Sequence, residues 1–271
     1  MTEATSAMQD KVVVITGASK GIGAELAVQL AALGARLVLA ARDVQDLEAV
    51  AERCRAAGGS AITVRADVAE ERDCAAIMSG AALAYDGIDV LVNNAGATMW
   101  ARFEEIEDIS ILERIMRVNY MGAVYCTRHA LPYLRRRRGL VVGIASLAGL
   151  TGVPTRTGYA ASKHAMRGFF DSLRIELDGS GVGVTMIYPG FVATGIRENA
   201  TGPGGQPIRV DPVPRQNAMT VEECARQIVA AIRARKRQVV MTARGKMGLW
   251  LKLIAPALVD RIAKRAVEKA R

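Results

Sequence analysis

Three features of the sequence predict a single α/β domain, with a parallel sheet covered by helices on both faces. Apolar runs of strand length alternate with helix-length segments along most of the 271 residues. The composition is 51% hydrophobic but only 4% aromatic, an aliphatic make-up that suits parallel strands buried between helices. A glycine-rich turn, TGASKGIG at residues 16–23, joins the first strand-like run to the first helical one. The length fits one large α/β domain.

The elements follow in order. KVVVIT predicts a buried strand over residues 11–16, and a helix over 21–33 follows the glycine turn. A strand over 36–41 leads to a helix over 44–57, and a strand over 61–65 to a helix over 70–85. A strand over 88–93 precedes a long helix ending near residue 134. A strand over 140–145 precedes a helix over 159–177, and a strand over 182–188 comes next. A helix over 221–235 and a strand over 238–242 complete the series. Such alternation specifies right-handed crossovers.

Two segments break this rhythm. Residues 194–218 contain Gly202, Pro203, Gly204, Gly205, Pro207, Pro212 and Pro214, which predicts a functional loop or lid rather than an ordinary connection. Residues 245–271 form an extension, MGLWLKLIAPALV followed by the basic DRIAKRAVEKAR. The expected division is a flexible N-terminus (1–10), a domain (11–244) and this amphipathic extension.

Composition excludes some functional classes. No apolar run reaches the length of a membrane span. The polar N-terminus MTEATSAMQD lacks a signal-peptide apolar core. Cys54, Cys74, Cys126 and Cys224 are scattered with no C-x-x-C, which predicts reduced thiols in a cytoplasmic protein and no metal site. His129 and His164 also suggest no metal site. The net charge of +9 is spread over the chain without a nucleic-acid module, so no nucleic-acid partner is expected. Its densest run, Arg135 to Arg138, fits a solvated helix end.

The motifs point to chemistry at the strand ends. Gly17, Gly21 and Gly23 let the backbone turn tightly, so a pyrophosphate can approach the amides of a helix N-terminus. The second strand ends in Ala41 and then Arg42, where a ribose 2′-OH would call for an acid. Arg42 and Lys20 together favour a 2′-phosphate. Asp43 is either the missing acid or, preferably, the cap of the next helix. Asp67 and Val68 follow the third strand, where an Asp either accepts from an adenine amino group or serves as a plain turn residue. Asn93 begins NNAG and either belongs to this site or ties two strands together. Ser146 ends the fifth strand, on the ligand-binding edge of an open sheet, where its hydroxyl can bond a substrate carbonyl. Tyr159 and Lys163 are one helical turn apart on one face, and an ammonium beside a phenol stabilises the phenolate. Asn119 stands within the long helix, where an amide is a poor helix former. It implies either an exposed position or a local break that holds a proton-relay water.

These residues together resemble the short-chain dehydrogenase/reductase family over roughly residues 11–194. The motifs concerned are TGASKGIG, Asp67, NNAG, the set Asn119, Ser146, Tyr159 and Lys163, and PGFVAT at residues 189–194. The resemblance implies a Rossmann-like, doubly wound domain with a seven-stranded parallel sheet and no metal requirement. It implies an NADP(H) cofactor, held by Gly17, Ser19, Lys20, Gly21, Ile22, Gly23, Arg42, Asp67, Val68, Asn94, Ala95, Gly96, Tyr159, Lys163, Pro189, Gly190, Val192 and Thr194. It implies that Tyr159 is the acid or base, that Lys163 lowers its pKa and bonds the nicotinamide ribose, that Ser146 polarises the substrate oxygen and that Asn119 anchors the relay. Homodimers or homotetramers through the long helices are expected.

Substrate is set outside these motifs. Met99, Trp100, Leu147, Leu150, Val153 and Phe191 predict an apolar site for a hydrophobic or lipid-like carbonyl compound. A 3-oxoacyl-carrier-protein reductase is the alternative enzyme, since an acidic carrier would suit the basic surface. An NADP-sensing binding module is the non-enzymatic alternative, which the intact tetrad disfavours. The extension is expected to pack on the core or a second subunit, with weak membrane-surface association as the other reading.

Overall fold

A computed structural model describes residues 8–211 and 218–268. Part of the expected flexible N-terminus, and Pro212 and Pro214 of the expected lid, lie outside these residues.

Seven parallel strands form one sheet in the order β3-β2-β1-β4-β5-β6-β7. They are β1 (Val12–Thr16), β2 (Arg36–Ala41), β3 (Ser60–Arg65), β4 (Val90–Asn93), β5 (Leu140–Ile144), β6 (Gly183–Tyr188) and β7 (Gln238–Val240). The crossover helices are α1 (Gly21–Ala31), α2 (Val44–Ala56) and α3 (Glu71–Tyr85). They continue with α4 (Ser110–Met116), α5 (Gly122–Arg137), α6 (Thr157–Glu176) and α7 (Val221–Arg233). The order reverses between β1 and β4, and this switch point opens a crevice at the carboxyl ends of the strands.

Both sheet faces are covered, and the two aliphatic layers show it. Val13 and Ile15 of β1 pack with Leu26 and Leu30 of α1 and Ile228 of α7. Val14 of the same strand faces Ile77 of α3 and Leu134 of α5 on the other side. Every residue of β1 is therefore buried, which is why VVVIT shows no polar alternation. Each such aliphatic side chain contributes about 1.5–3 kcal/mol on burial.

Two expectations are refined. The long helix is interrupted rather than uniform, because residues Arg117–Met121 form a π-turn between α4 and α5, and Asn119 lies buried within it. Its helical path runs to Arg137, and Arg138 leaves in a left-handed conformation. Asn93 pairs with Gly143 in the β4–β5 register, and its Nδ2 also donates to Thr127 Oγ1 on α5 at 3.1 Å, tying the sheet to a helix. Asp43 caps α2, accepting from Asp46 N at 3.1 Å.

The extension forms two helices, α8 (Ala243–Ile254) and α9 (Pro256–Glu268). Thr242 caps α8, Leu249 packs against the core, and Lys252 Nζ donates to Leu150 O at 3.1 Å. Met247, Trp250, Leu253, Ile254, Leu258 and Ile262 remain exposed, with Trp250 75% accessible. Among the described residues no helix is long and apolar enough to cross a membrane.

Candidate active site

A cavity of about 700 Å³ occupies the switch-point crevice. Its floor is the turn after β1. Gly17 there has φ +65, and an added Cβ would stand 2.8 Å from Ala95 Cα, so a side chain is excluded on both counts. Ser19, Lys20, Gly21 and Ile22 line the cavity with it. Gly23 lies beneath, where a Cβ would strike the Gly17 carbonyl. The turn is braced by Asn94, whose Nδ2 donates to Thr16 O at 2.9 Å and Gly17 O at 3.0 Å. Backbone amides around a glycine cradle at a helix N-terminus fit a pyrophosphate.

The end of β2 forms one wall. Arg42 and Lys20 line it, both with well-exposed side chains. Lys20 pairs with Asp46 at 2.6 Å, and that carboxylate raises the lysine pKa. Arg42 lies 3.9 Å from Asp67, a loose contact made by a well-exposed side chain. Asp43 also lines the wall. Its hydrogen bonds at the α2 N-terminus hold its carboxyl below the usual carboxylate range, so it is engaged as a cap. Asp67 accepts from Ala69 N at 3.0 Å, and Val68 follows it on the cavity surface.

The opposite wall brings together Ser146, Tyr159 and Lys163. Ser146 caps the short turn Leu147–Gly149, its Oγ accepting from Ala148 N at 3.2 Å. Tyr159 and Lys163 share one face of α6, and the ammonium lies 5.8 Å from the phenol ring centroid. Lys163 is 3% exposed, and its Nζ donates to Ile144 O at 2.9 Å. Burial pulls its pKa below the usual lysine value; charge on Tyr159 opposes this and Arg156 adds to it. Ala95 and Gly96 of NNAG, with Pro189, Gly190, Val192 and Thr194, complete the lining around this wall.

Asn119 does not line the cavity; it stands behind it. Its Oδ1 accepts from Ala97 N at 2.7 Å, and its Nδ2 donates to Ala97 O at 2.9 Å and Ser162 Oγ at 2.8 Å. It thus brackets the turn after β4 to α6. Of the apolar residues expected at the substrate end, Phe191 lines this cavity, whereas Met99 and Leu150 are buried in packed clusters.

Other residues at the site were given no role by the sequence. Thr16 Oγ1 accepts from Asn94 N and Ala95 N, both at 3.1 Å. Ser162 Oγ donates to Tyr159 O at 2.8 Å, and its only signal is its place between Tyr159 and Lys163. Arg156 and Arg197 line the cavity although both side chains are buried, and neither burial could be read from the sequence.

The short chain dehydrogenase family model matches residues 11–203. The chain belongs to that family. It is therefore an oxidoreductase that transfers hydride with a nicotinamide cofactor. An 11-beta-hydroxysteroid dehydrogenase A from Sesamum indicum is 39% identical over 256 residues, 92% of this chain and 73% of its own length. A dehydrogenase/reductase SDR family protein 7-like from Dictyostelium discoideum is 35% identical over 94% of this chain and 81% of its own. A short chain dehydrogenase/reductase from Burkholderia phymatum, solved in complex with NAD, superposes with a TM-score of 0.84. It is 28% identical, over 93% of this chain and 96% of that one. An alcohol dehydrogenase from Thermococcus sibiricus, complexed with 5-hydroxy-NADP, gives 0.71 at 28% identity over 82% of this chain and 90% of that one.

Proposed function

We propose that the protein is an NADP(H)-dependent oxidoreductase that interconverts a carbonyl compound and a secondary alcohol, with Tyr159 passing the proton. The observation that carries this reading is the meeting, in one cavity, of the glycine cradle, the Arg42 and Lys20 cations, and the Ser146, Tyr159 and Lys163 cluster. The cofactor supplies or accepts the hydride. Ser146 donates to the substrate oxygen, Tyr159 gives that oxygen a proton during reduction, and the Lys163 charge stabilises the resulting phenolate. Lys163 also bonds the nicotinamide ribose. Asn119 holds the turn after β4 and α6 in register, which keeps this cluster in place.

The preference for NADP(H) is supported by two exposed cations on the cavity wall, Arg42 after β2 and Lys20 in the glycine turn, and by the engagement of Asp43 as a cap. A substrate with a sizeable apolar body is supported by Phe191 and by likeness to proteins named for hydroxysteroids. The exposed apolar face of α8 and α9, with Lys246, Arg261 and Arg265 exposed on the same helices, supports weak attachment to an anionic lipid surface. Assembly as a homodimer or homotetramer through the long helices is proposed with it.

The test is NADPH oxidation over a panel of ketones and aldehydes, from small and polar to steroid-sized. NADH and Tyr159→Phe serve as controls. Turnover should prefer NADPH and fall by about 10²–10⁴ in the variant. Undiminished turnover in Tyr159→Phe would remove the proposed acid.

A further inference from the structure

Arg156 is a charge that the reaction described above does not use. It occupies the position before α6, is 7% exposed, and lines the cavity that holds Tyr159 and Lys163. Its Cζ lies 4.3 Å from the Tyr159 ring centroid and 5.8 Å from that of Trp100. One nitrogen, Nη2, donates to Thr98 Oγ1 at 2.6 Å. Its Nε is buried without a partner, and among the described residues no carboxylate is paired with it. Two cations repel it, Lys163 on α6 and Arg197 in the loop after β6.

Arg197 shows what a compensated arginine at this site is like. Its Nε and Nη2 bond the two oxygens of Asp211, both at 2.7 Å, and Nη1 donates to Val192 O at 2.9 Å. Arg156 has two aromatic rings and one hydroxyl instead. Ring contacts return only a fraction of the cost of desolvating a guanidinium, and buried cations are ordinarily paired.

The backbone also holds Arg156 in this place at some cost. Thr155, immediately before it, is a buried, β-branched residue at φ +66. It is retained there by Ala101 N, which donates to Thr155 O at 2.9 Å, and by its own hydroxyl bond to Pro154 O at 2.5 Å. β-Branched side chains rarely adopt this conformation, and strain of this kind clusters at ligand sites.

We propose that Arg156 is the recognition cation for a carboxylate carried by the substrate, so that the substrate is an oxo acid with an apolar body. This deepens the carbonyl-reductase reading and rests on it. The carboxylate supplies the missing partner. It seats beside the Tyr159 ring and so sets which carbonyl along the chain meets the phenol hydroxyl.

The test uses matched pairs: 4-oxopentanoate and 4-oxodecanoate, each against its methyl ester. Binding to the NADP⁺-loaded protein is read from Trp100 fluorescence in a Trp250→Phe background, which leaves Trp100 as the only tryptophan of the two in the chain. Turnover with NADPH is measured in parallel. The acid should bind about 10- to 100-fold more tightly than its ester, as expected for a charge-assisted bond. Arg156→Gln should remove that difference while changing the ester less than about threefold, and Arg156→Lys should restore part of it. Equal binding of acid and ester by the wild-type protein overturns the proposal without any variant. Equal weakening of both probes by Arg156→Gln also overturns it, since the charge would then be structural. Arg156-dependent binding of acids that are never reduced would uphold the subsite and count against the reductase reading. Equal reduction of acids and esters would do the reverse.

Discussion

Replacing Thr16 with valine keeps the side-chain shape and removes one hydroxyl. Thr16 is 1% exposed, its Oγ1 accepts from Asn94 N and Ala95 N at 3.1 Å each, and it donates to Val92 O at 3.3 Å. Valine leaves two amides without an acceptor in a place that water does not reach from the Thr16 side. At about 1–2 kcal/mol for each orphaned donor, the loss is roughly 2–4 kcal/mol, and the longer bond to Val92 adds little. In a domain of this size 1 kcal/mol shifts Tm by about 2–4 °C, so Tm should fall by roughly 5–15 °C. The two amides belong to the turn that lines the cavity beside the glycine cradle, so NADPH affinity should fall as well. Urea unfolding and NADPH titration of Thr16→Val and Thr16→Ser check both effects. Serine keeps the acceptor and should recover most of the stability. A Thr16→Val protein within about 0.5 kcal/mol of wild type would refute the view that this hydroxyl organises the β4 turn.

Three other outcomes are expected. Arg42→Ala should weaken NADPH about tenfold and leave NADH nearly unchanged, as the loss of one charge-assisted bond predicts; equal effects in titrations of the two cofactors would remove Arg42 as the 2′-phosphate ligand. Burial, partly opposed by Tyr159 and reinforced by Arg156, holds the Lys163 pKa below its ordinary 10.5, so its charge is lost at a lower pH than usual. NADPH affinity should therefore fall as pH rises, with a midpoint below 10.5, and Arg156→Gln should move that midpoint upward by removing a repelling cation. A midpoint unmoved in the variant contradicts this coupling. Finally, the intact chain should co-sediment with anionic vesicles, while a Trp250→Ser, Leu253→Ser double variant should stay in the supernatant. Equal pelleting of the two would dismiss the lipid-facing role of α8.

The limits of sequence legibility at this site are physical. The strands were readable because each parallel strand is buried on both faces, leaving an unbroken aliphatic run such as VVVIT between polar punctuation. The glycine turn was readable because a left-handed backbone and close approach select glycine, as at Gly17. Asn119 gave a partial signal. An amide inside a helical stretch pointed to a break, but the form of that break, a π-turn that keeps the helix going, depends on bonds to Ala97 and Ser162 made across the fold. Ser162 and Thr16 gave only their places inside motifs, because a lone hydroxyl has the same local preferences whether it faces water or braces a catalytic helix. The arginines are the clearest case. Arg197 and Asp211 are 14 positions apart with no periodic relation, and only the path of the loop after β6 makes them a pair. Arg156 and Thr98 are 58 apart. In a chain with 36 basic residues, any single arginine reads as surface. Burial separates Arg156 and Arg197 from the rest, and burial is a property of tertiary packing. Much of what the sequence could not supply lies at the substrate end of the cavity. There the parts of the site come from segments far apart in the chain, and the carboxylate proposed for Arg156 would come from no segment of the chain at all.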